Sequence, residues 1–285
     1  MNRWIPLLVV AVSACSVRHA LAAPPANLVK AELLADASGI RPGRPFLLGV
    51  RFRITPGWHI YWINPGDSGE ATRVEFQLPP GFVVGPVRYP APEKFVQPGD
   101  IVGYGYEQQA MLIVEVTPAG DLKIGDEISV VANSTWLVCE KICIPGQATS
   151  SLRLPVSSET TAANAETFQS WQKRIPRTID SHSAPKVAVQ TLNMHDGKAA
   201  SLLWLDAVES DLQAFPGPLE GAEVRLDPPL KSHHGTSMRV HVSALPGQTI
   251  GAKSLHVVLV SSTNAYDVTV PINPDPHDAA SAQKR

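Results

Sequence analysis

Between Phe46 and Thr55 the chain alternates: Phe46, Leu48, Val50, Phe52 and Ile54 are interleaved with Gly49, Arg51, Arg53 and Thr55. A period of two turns one set toward a core and the other toward water, so the segment predicts a half-buried β-strand. Val29 to Leu34, Trp58 to Trp62, Val74 to Leu78, Met111 to Val116, Ile128 to Trp136 and Ser151 to Leu154 predict further strands, bounded by turn residues such as Pro79-Pro80-Gly81. Together they predict a β-sandwich over residues 25–157. From 158 to 185 the composition turns polar and Thr/Ala-rich, which predicts a linker with one short helix, Ala162 to Lys173. A second set of strands follows at Lys186 to Leu192, Ala199 to Leu205, Ala222 to Leu226, Met238 to Leu245, Ser254 to Val260 and Tyr266 to Ile272. These suit a second sandwich over 186–274, followed by a polar tail, 275–285. The expected class is all-β, two β-sandwich domains in tandem, and no sequence repeat links them.

Composition agrees. Proline is abundant at 26 residues, and Val, Ile, Leu and Thr recur in short runs between turn residues. The net charge is −2 with Lys and Arg scattered, so there is no electrostatic footprint for nucleic acid.

The N-terminus sets the compartment. Arg3 precedes an apolar run from Ile5 to Ala14 that is too short to span a bilayer, and Ala20-Leu-Ala22 before Ala23 has the small-x-small pattern of a signal peptidase site. Residues 1–22 are therefore expected to be a signal peptide of an exported protein. Val12-Ser-Ala-Cys15 resembles a lipobox, in which case a lipid at Cys15 would be the tether to a membrane. No later segment is apolar for long enough to cross one.

With Cys15 removed or acylated, Cys139 and Cys143 are the thiols left to the folded protein, in Trp136-Leu-Val-Cys-Glu-Lys-Ile-Cys-Ile-Pro-Gly146. They form one redox or metal unit. Three residues separate them, so a disulfide there closes a tiny loop and adds only about 2 kcal/mol of stability. A chain of 285 residues buries ample core without it, and the pair reads as a working dithiol rather than a staple. Trp136 to Val138 looks like the end of a strand, so Cys139 should emerge at its tip and Cys143 return after a tight excursion, closed by Pro145-Gly146. The spacing is not Cys-x-x-Cys and no helix evidently follows, so the thioredoxin route to a low thiol pKa is missing.

Gly57-Trp-His-Ile-Tyr-Trp-Ile-Asn-Pro-Gly-Asp-Ser-Gly69 is the second constellation. On a strand Trp58, Ile60 and Trp62 share one face and His59 and Tyr61 the other, ending in a turn at Asn64-Pro-Gly-Asp. Core aromatics explain the tryptophans, while Tyr61, with Trp58, is a candidate wall against the disulfide, since rings pack well on sulfur. Tyr89-Pro-Ala-Pro-Glu-Lys-Phe95, with Gly103-Tyr-Gly-Tyr-Glu107 beyond it, reads as loop, and an aromatic Phe95 at a loop tip is a candidate lid.

Trp58-x-x-Tyr61-Trp62-x-Asn64-Pro-Gly-Asp-Ser-Gly69, Pro-x-Pro-x-x-Phe95, Gly103-Tyr-Gly-Tyr-Glu and Trp136-Leu-Val-Cys139-x-x-x-Cys143-Ile-Pro145 together resemble the periplasmic N-terminal domain of the DsbD and ScsB type of thiol-disulfide reductases. The resemblance covers about residues 28–156. It implies an immunoglobulin-like sandwich, without a cofactor, whose cysteines take electrons from a membrane-embedded donor and pass them to periplasmic thioredoxin-fold proteins, disulfide isomerases or cytochrome c maturation proteins. It also implies a cap, Phe95 by position, with Tyr61 beneath. Residues 186–272 look loosely like the second sandwich of the ScsB group, so two immunoglobulin-like domains in tandem are expected. Family members usually continue into a membrane domain and a thioredoxin-like domain; this chain ends at Arg285, and the donor is expected on a separate chain. The mechanism expected is two-step exchange with Cys139 attacking and Cys143 resolving.

Two other classes stand beside this one. Paired thiolates of an exported protein bind Cu(I), with His59 a conceivable third ligand and His233-His234 in the other domain. A binding scaffold with a merely rigidifying disulfide is the other. No Ser/His/Asp set or His/Glu spacing points to a hydrolase.

Overall fold

The computed structural model describes residues 27–179, 187–190, 198–205, 212–232, 235–248, 250 and 254–272. The expected signal peptide, Cys15, the polar tail and His233-His234 lie outside the described residues.

The first ten strands are β1 (Val29–Ala35), β2 (Phe46–Ile54), β3 (His59–Gly66), β4 (Arg73–Gln77), β5 (Val83–Val84), β6 (Glu93–Gln97), β7 (Ile101–Glu107), β8 (Gln109–Thr117), β9 (Glu127–Cys139) and β10 (Cys143–Pro155). One sheet runs β1-β2-β8-β5 and the other β10-β9-β3-β7-β6, with β4 also paired to β9. Leu48, Val50 and Phe52 of β2 and Leu112 and Val114 of β8 are buried, facing Ile60, Val130, Ala132 and Val138 from the second sheet. Phe52 and Trp136 meet edge to face with centroids 5.6 Å apart. Each such side chain contributes about 1.5–3 kcal/mol by leaving water, which is what holds the two sheets together.

β2 and β8 are covered on their outer face as well. Helix α1 (Ala165–Gln172) lays Phe168 and Trp171 on Leu47, Met111 and Ile113. Gly49 makes room for this, since a Cβ there would stand 2.3 Å from Met111 Cε. The stretch expected as a linker thus holds a helix that packs on the first sandwich, somewhat shorter than the expected Ala162 to Lys173.

Beyond it lie β11 (Arg177–Thr178), β12 (Val187–Gln190), β13 (Lys198–Leu205), β14 (Gln213–Pro216), β15 (Ala222–Leu226), β16 (Leu230–Ser232), β17 (Gly235–Ala244), β18 (Ser254–Val260) and β19 (Ala265–Pro271). They form the sheets β11-β19-β18-β14 and β12-β13-β17-β15, with β16 paired to β17. Val240, Val242, Leu255, Val257, Leu259 and Val268 are buried between them. The all-β class read from the sequence is the class of the structure.

The two sandwiches touch. Phe215 of β14, 1% exposed, joins the core of the first sandwich and packs edge to face on Tyr104 (5.3 Å) and Trp62 (6.5 Å). Asn64 Nδ2 donates a hydrogen bond to the carbonyl oxygen of Pro216 at 2.8 Å.

The Pro/Gly-rich region around Phe95 differs from expectation: it is not a loop with an aromatic tip but the β6-β7 hairpin, and Phe95 lies within strand β6. Glycines that read as breakers here allow close approach. A Cβ on Gly105 would stand 2.1 Å from the Ile60 carbonyl oxygen, so only glycine lets β7 lie flat against β3.

Candidate functional site

β9 and β10 form one long antiparallel hairpin in which Cys139, the last residue of β9, is paired with Cys143, the first of β10. Glu140, Lys141 and Ile142 make the connection, closed by the Glu140 N–H donating to the Ile142 carbonyl at 3.2 Å. The two cysteines are joined by a disulfide with Cα atoms 4.2 Å apart. They are not equivalent: Cys139 is 1% exposed, whereas Cys143 is exposed, beside an Ile142 that is 62% exposed.

β3 runs beside β9 and pairs His59 with Cys139. Alternation then sends Ile60 and Trp62 into the core and leaves His59 and Tyr61 on the face that carries the disulfide. The Tyr61 hydroxyl lies 4.0 Å from Cys143 Sγ. Its ring meets that of His59 edge to face, centroids 5.2 Å apart. From β6, Phe95 lies over His59 at 4.1 Å and beside Tyr61 at 5.9 Å. Gln97, two residues on and therefore on the same face, brings its Nε2 to 3.2 Å from both His59 Nε2 and the Tyr61 hydroxyl oxygen.

The glycines of the sequence motifs hold these rings in place. Gly69, at φ +106°, lies flat on the Tyr61 ring, where a Cβ would fall 2.5–2.7 Å from three ring carbons. Gly103 does the same under Phe95, with a Cβ 2.1 Å from Cε2. The Asp67 backbone N–H donates to the Val102 carbonyl and its carboxylate accepts from the Val102 N–H, both at 2.8 Å, which ties the loop after β3 to the start of β7.

Burial holds His59 below the usual imidazole pKa, opposed by the charge of Glu107, its cross-strand partner on β7. Burial and the nearby Glu107 raise Glu93 of β6, opposed by Arg174.

Of the residues singled out in the sequence, Cys139, Cys143, Tyr61 and Phe95 come together. Trp58 does not: it is half-buried against the main core, because alternation places it with Ile60 and Trp62 on the opposite face from sulfur. His59 Nε2, considered for a metal, engages Gln97 and Tyr61. Among the described residues no group of three or more His, Cys, Asp or Glu side chains is arranged to hold a metal ion. Gln97 was missed. Its only signal is an offset of two from Phe95, which has meaning once that segment is known to be a strand.

Residues 27–155 match the family described as thiol:disulfide interchange protein DsbD, N-terminal. The chain is similar in structure to the N-terminal periplasmic domain of ScsB from Proteus mirabilis, with a TM-score of 0.58, 18% identity, and 86% of this chain and 92% of that one covered. It also aligns with the reduced N-terminal domain of DsbD from Neisseria meningitidis, with a TM-score of 0.30, 16% identity, and 50% of this chain and 94% of that one covered. No curated protein matches the chain.

Proposed function

Taking residues 27–155 as an N-terminal domain of the DsbD thiol-disulfide interchange family, we propose that this chain is a periplasmic electron relay working through Cys139 and Cys143. It receives electrons from a membrane-embedded donor and passes them to a thioredoxin-fold oxidoreductase or isomerase. The observation that carries this reading is the asymmetry of the pair. One sulfur sits at the exposed tip of a hairpin while its partner is buried beneath, and no long-range segments are tied together by the bond.

The unequal exposure of the two cysteines supports roles opposite to those expected from the sequence. Cys143 is the sulfur a partner can reach, so Cys143 attacks and Cys139 resolves. In the reduced protein the Cys143 thiolate attacks one sulfur of the partner disulfide, forming a mixed disulfide and releasing the partner's other sulfur as a thiolate. The Cys139 thiolate then attacks Cys143 Sγ, closing the Cys139–Cys143 bond and releasing the second partner thiolate. Two electrons and the two protons of the thiols pass to the partner. Tyr61 stands beside Cys143, with Phe95 packed on Tyr61 and His59, and in this reading the β6-β7 hairpin that carries Phe95 is the movable cap.

The test is the reduction potential, measured by equilibration with glutathione buffers and thiol counting by mass. A value of about −180 to −270 mV supports a relay; one below about −300 mV marks a structural bond and refutes the proposal. Trapping separates the roles: Cys139→Ser should accumulate a mixed disulfide at Cys143, and accumulation instead on Cys139 in Cys143→Ser would reverse the assignment.

A further inference from the structure

The strand period gives the β6-β7 hairpin two sides. Phe95 and Gln97 point to the disulfide face, where they meet His59 and Tyr61. Lys94 and Val96 point the other way, together with their cross-strand partners Tyr104 and Val102 on β7. That back side lines a cleft of about 1280 Å³ against Leu212 and Ala214 of the second sandwich. On β14, alternation turns Ala214 toward the second core and Phe215 toward the first, accompanied by Val258, its partner on β18. The Phe215 ring meets two others edge to face: Trp62 of β3 at 6.5 Å and Tyr104 of β7 at 5.3 Å. One side chain of the second sandwich therefore bridges the strand that carries Tyr61 and the hairpin that carries Phe95. The next residue is anchored on β3 as well. The Pro216 carbonyl accepts from Asn64 Nδ2 at 2.8 Å, while Asn64 Oδ1 accepts from the Gly66 N–H at 3.1 Å. Where the chain enters β6, the Ala91 N–H donates at 2.8 Å to the carbonyl of Arg174, in the segment that joins the two sandwiches. The hairpin cannot swing off His59 and Tyr61 without parting Tyr104 from Phe215 or dragging β14 from Trp62 and Asn64.

We propose, resting on the exchange reading and its hairpin cap, that the second sandwich is the latch of that cap. Phe215 is a positioning residue: it acts through Tyr104 to hold the β6-β7 hairpin, and with it Phe95, over His59 and Tyr61. This gives the second sandwich a role at the disulfide although it contributes neither cysteine. Displacement of the second sandwich and opening of the hairpin are coupled, because they share the contact between Phe215 and Tyr104. A partner that binds the displaced arrangement more tightly thereby favours the open site.

The test reads two rates in the full, oxidised chain carrying Phe215→Ala. Amide hydrogen exchange over Glu93 to Glu107, followed by mass, should quicken by about 2- to 13-fold, the loss of the one aromatic pair that reaches the hairpin. Reduction of the disulfide by dithiothreitol should quicken by the same factor. Neither rate needs a partner protein or depends on the measured potential, so a potential outside the exchange range and a failure here are separate results. A double variant separates latching from general loosening: in a Phe95→Ala background, Phe215→Ala should add nothing to the reduction rate, because no ring is left to hold over the site. Wild-type hairpin exchange in Phe215→Ala overturns the proposal. Faster hairpin exchange with an unchanged reduction rate overturns it too, and so do effects on reduction that multiply in the double variant. Should Phe215→Ala lose its near-UV signature of folding, Asn64→Asp carries the same test. It keeps the oxygen that accepts from Gly66, removes the donor to Pro216, and should raise both rates by about 2- to 13-fold, the loss of one hydrogen bond. Two unmoved rates are then the refuting result.

Discussion

Gly103→Ala isolates the cap from everything else at the site. The new Cβ would stand 2.1 Å from Phe95 Cε2, 2.7 Å from Cδ2 and 2.8 Å from Cζ. Non-bonded carbons settle at about 3.5–4.0 Å, so the ring must retreat by about 1.4 Å or more. It cannot do so and keep its 4.1 Å stacking on His59 and its 5.9 Å contact with Tyr61. Aromatic pairs of this kind contribute about 0.5–1.5 kcal/mol beyond the area they bury. If the hairpin opens before the disulfide is attacked, losing that energy raises the open population by about 2- to 13-fold. The pseudo-first-order rate of reduction by dithiothreitol, followed by mass after alkylation, should rise by that factor. Phe95→Ala should rise at least as far. Gly120→Ala, where a Cβ meets nothing within 4 Å, should leave the rate unchanged. Wild-type rates in both Gly103→Ala and Phe95→Ala would refute the reasoning and reduce Phe95 to a packing residue.

Other perturbations address the frame around the site. Gly69→Ala should be more disruptive than Gly103→Ala, because φ +106° strains any side chain and the Cβ meets the Tyr61 ring; a melting temperature equal to wild type would contradict the contact. Phe215→Ala should cost about 3–5 kcal/mol in denaturant unfolding, the usual loss for a buried phenylalanine, and separate the unfolding of the two sandwiches into two transitions; a single unshifted transition would deny the coupling. Acidification should destabilise the fold through His59. Its folded pKa lies below the ordinary 6.5, so the unfolded chain takes up a proton first and stability falls as pH drops from 6.5 toward the folded pKa. His59→Gln should flatten that portion of a stability–pH curve, and an unchanged slope would assign it to other groups.

The alternating segment at Phe46–Ile54 and the apolar runs of β8 and β9 were legible because two sheets bury one face each, and the pair of thiols was legible from cysteine scarcity. What was not legible follows from three physical causes. Gly103 and Gly105 look like turn residues, yet they sit in a strand so that Phe95 and the Ile60 carbonyl can approach the backbone. β10 alternates exposed with half-buried positions and seats Gly146, Ala148 and Ser150 among its inward residues, so only Ser151 to Leu154 stood out of Cys143–Pro155. Trp58 and Tyr61 are close in sequence and opposite in direction, and which face meets the sulfur depends on the pairing of His59 with Cys139 rather than on either residue. Gln97 and the inequality of the two cysteines are tertiary facts of the same kind.

The junction at Phe215 bears on how the redox sandwich can be handled alone. Trp62 and Tyr104 present their rings to Phe215, and Asn64 presents its amide to Pro216. Cutting the chain after the first sandwich would turn that socket into a bare aromatic patch beside the β6-β7 hairpin, with Val96 already 61% exposed. An excised domain would then self-associate through that patch, on the face of the sheet opposite the one that carries the disulfide. The melting and exchange of such a fragment would be those of an associated species, and a polar replacement at Trp62 and Tyr104 is the remedy to engineer before it is compared with the full chain.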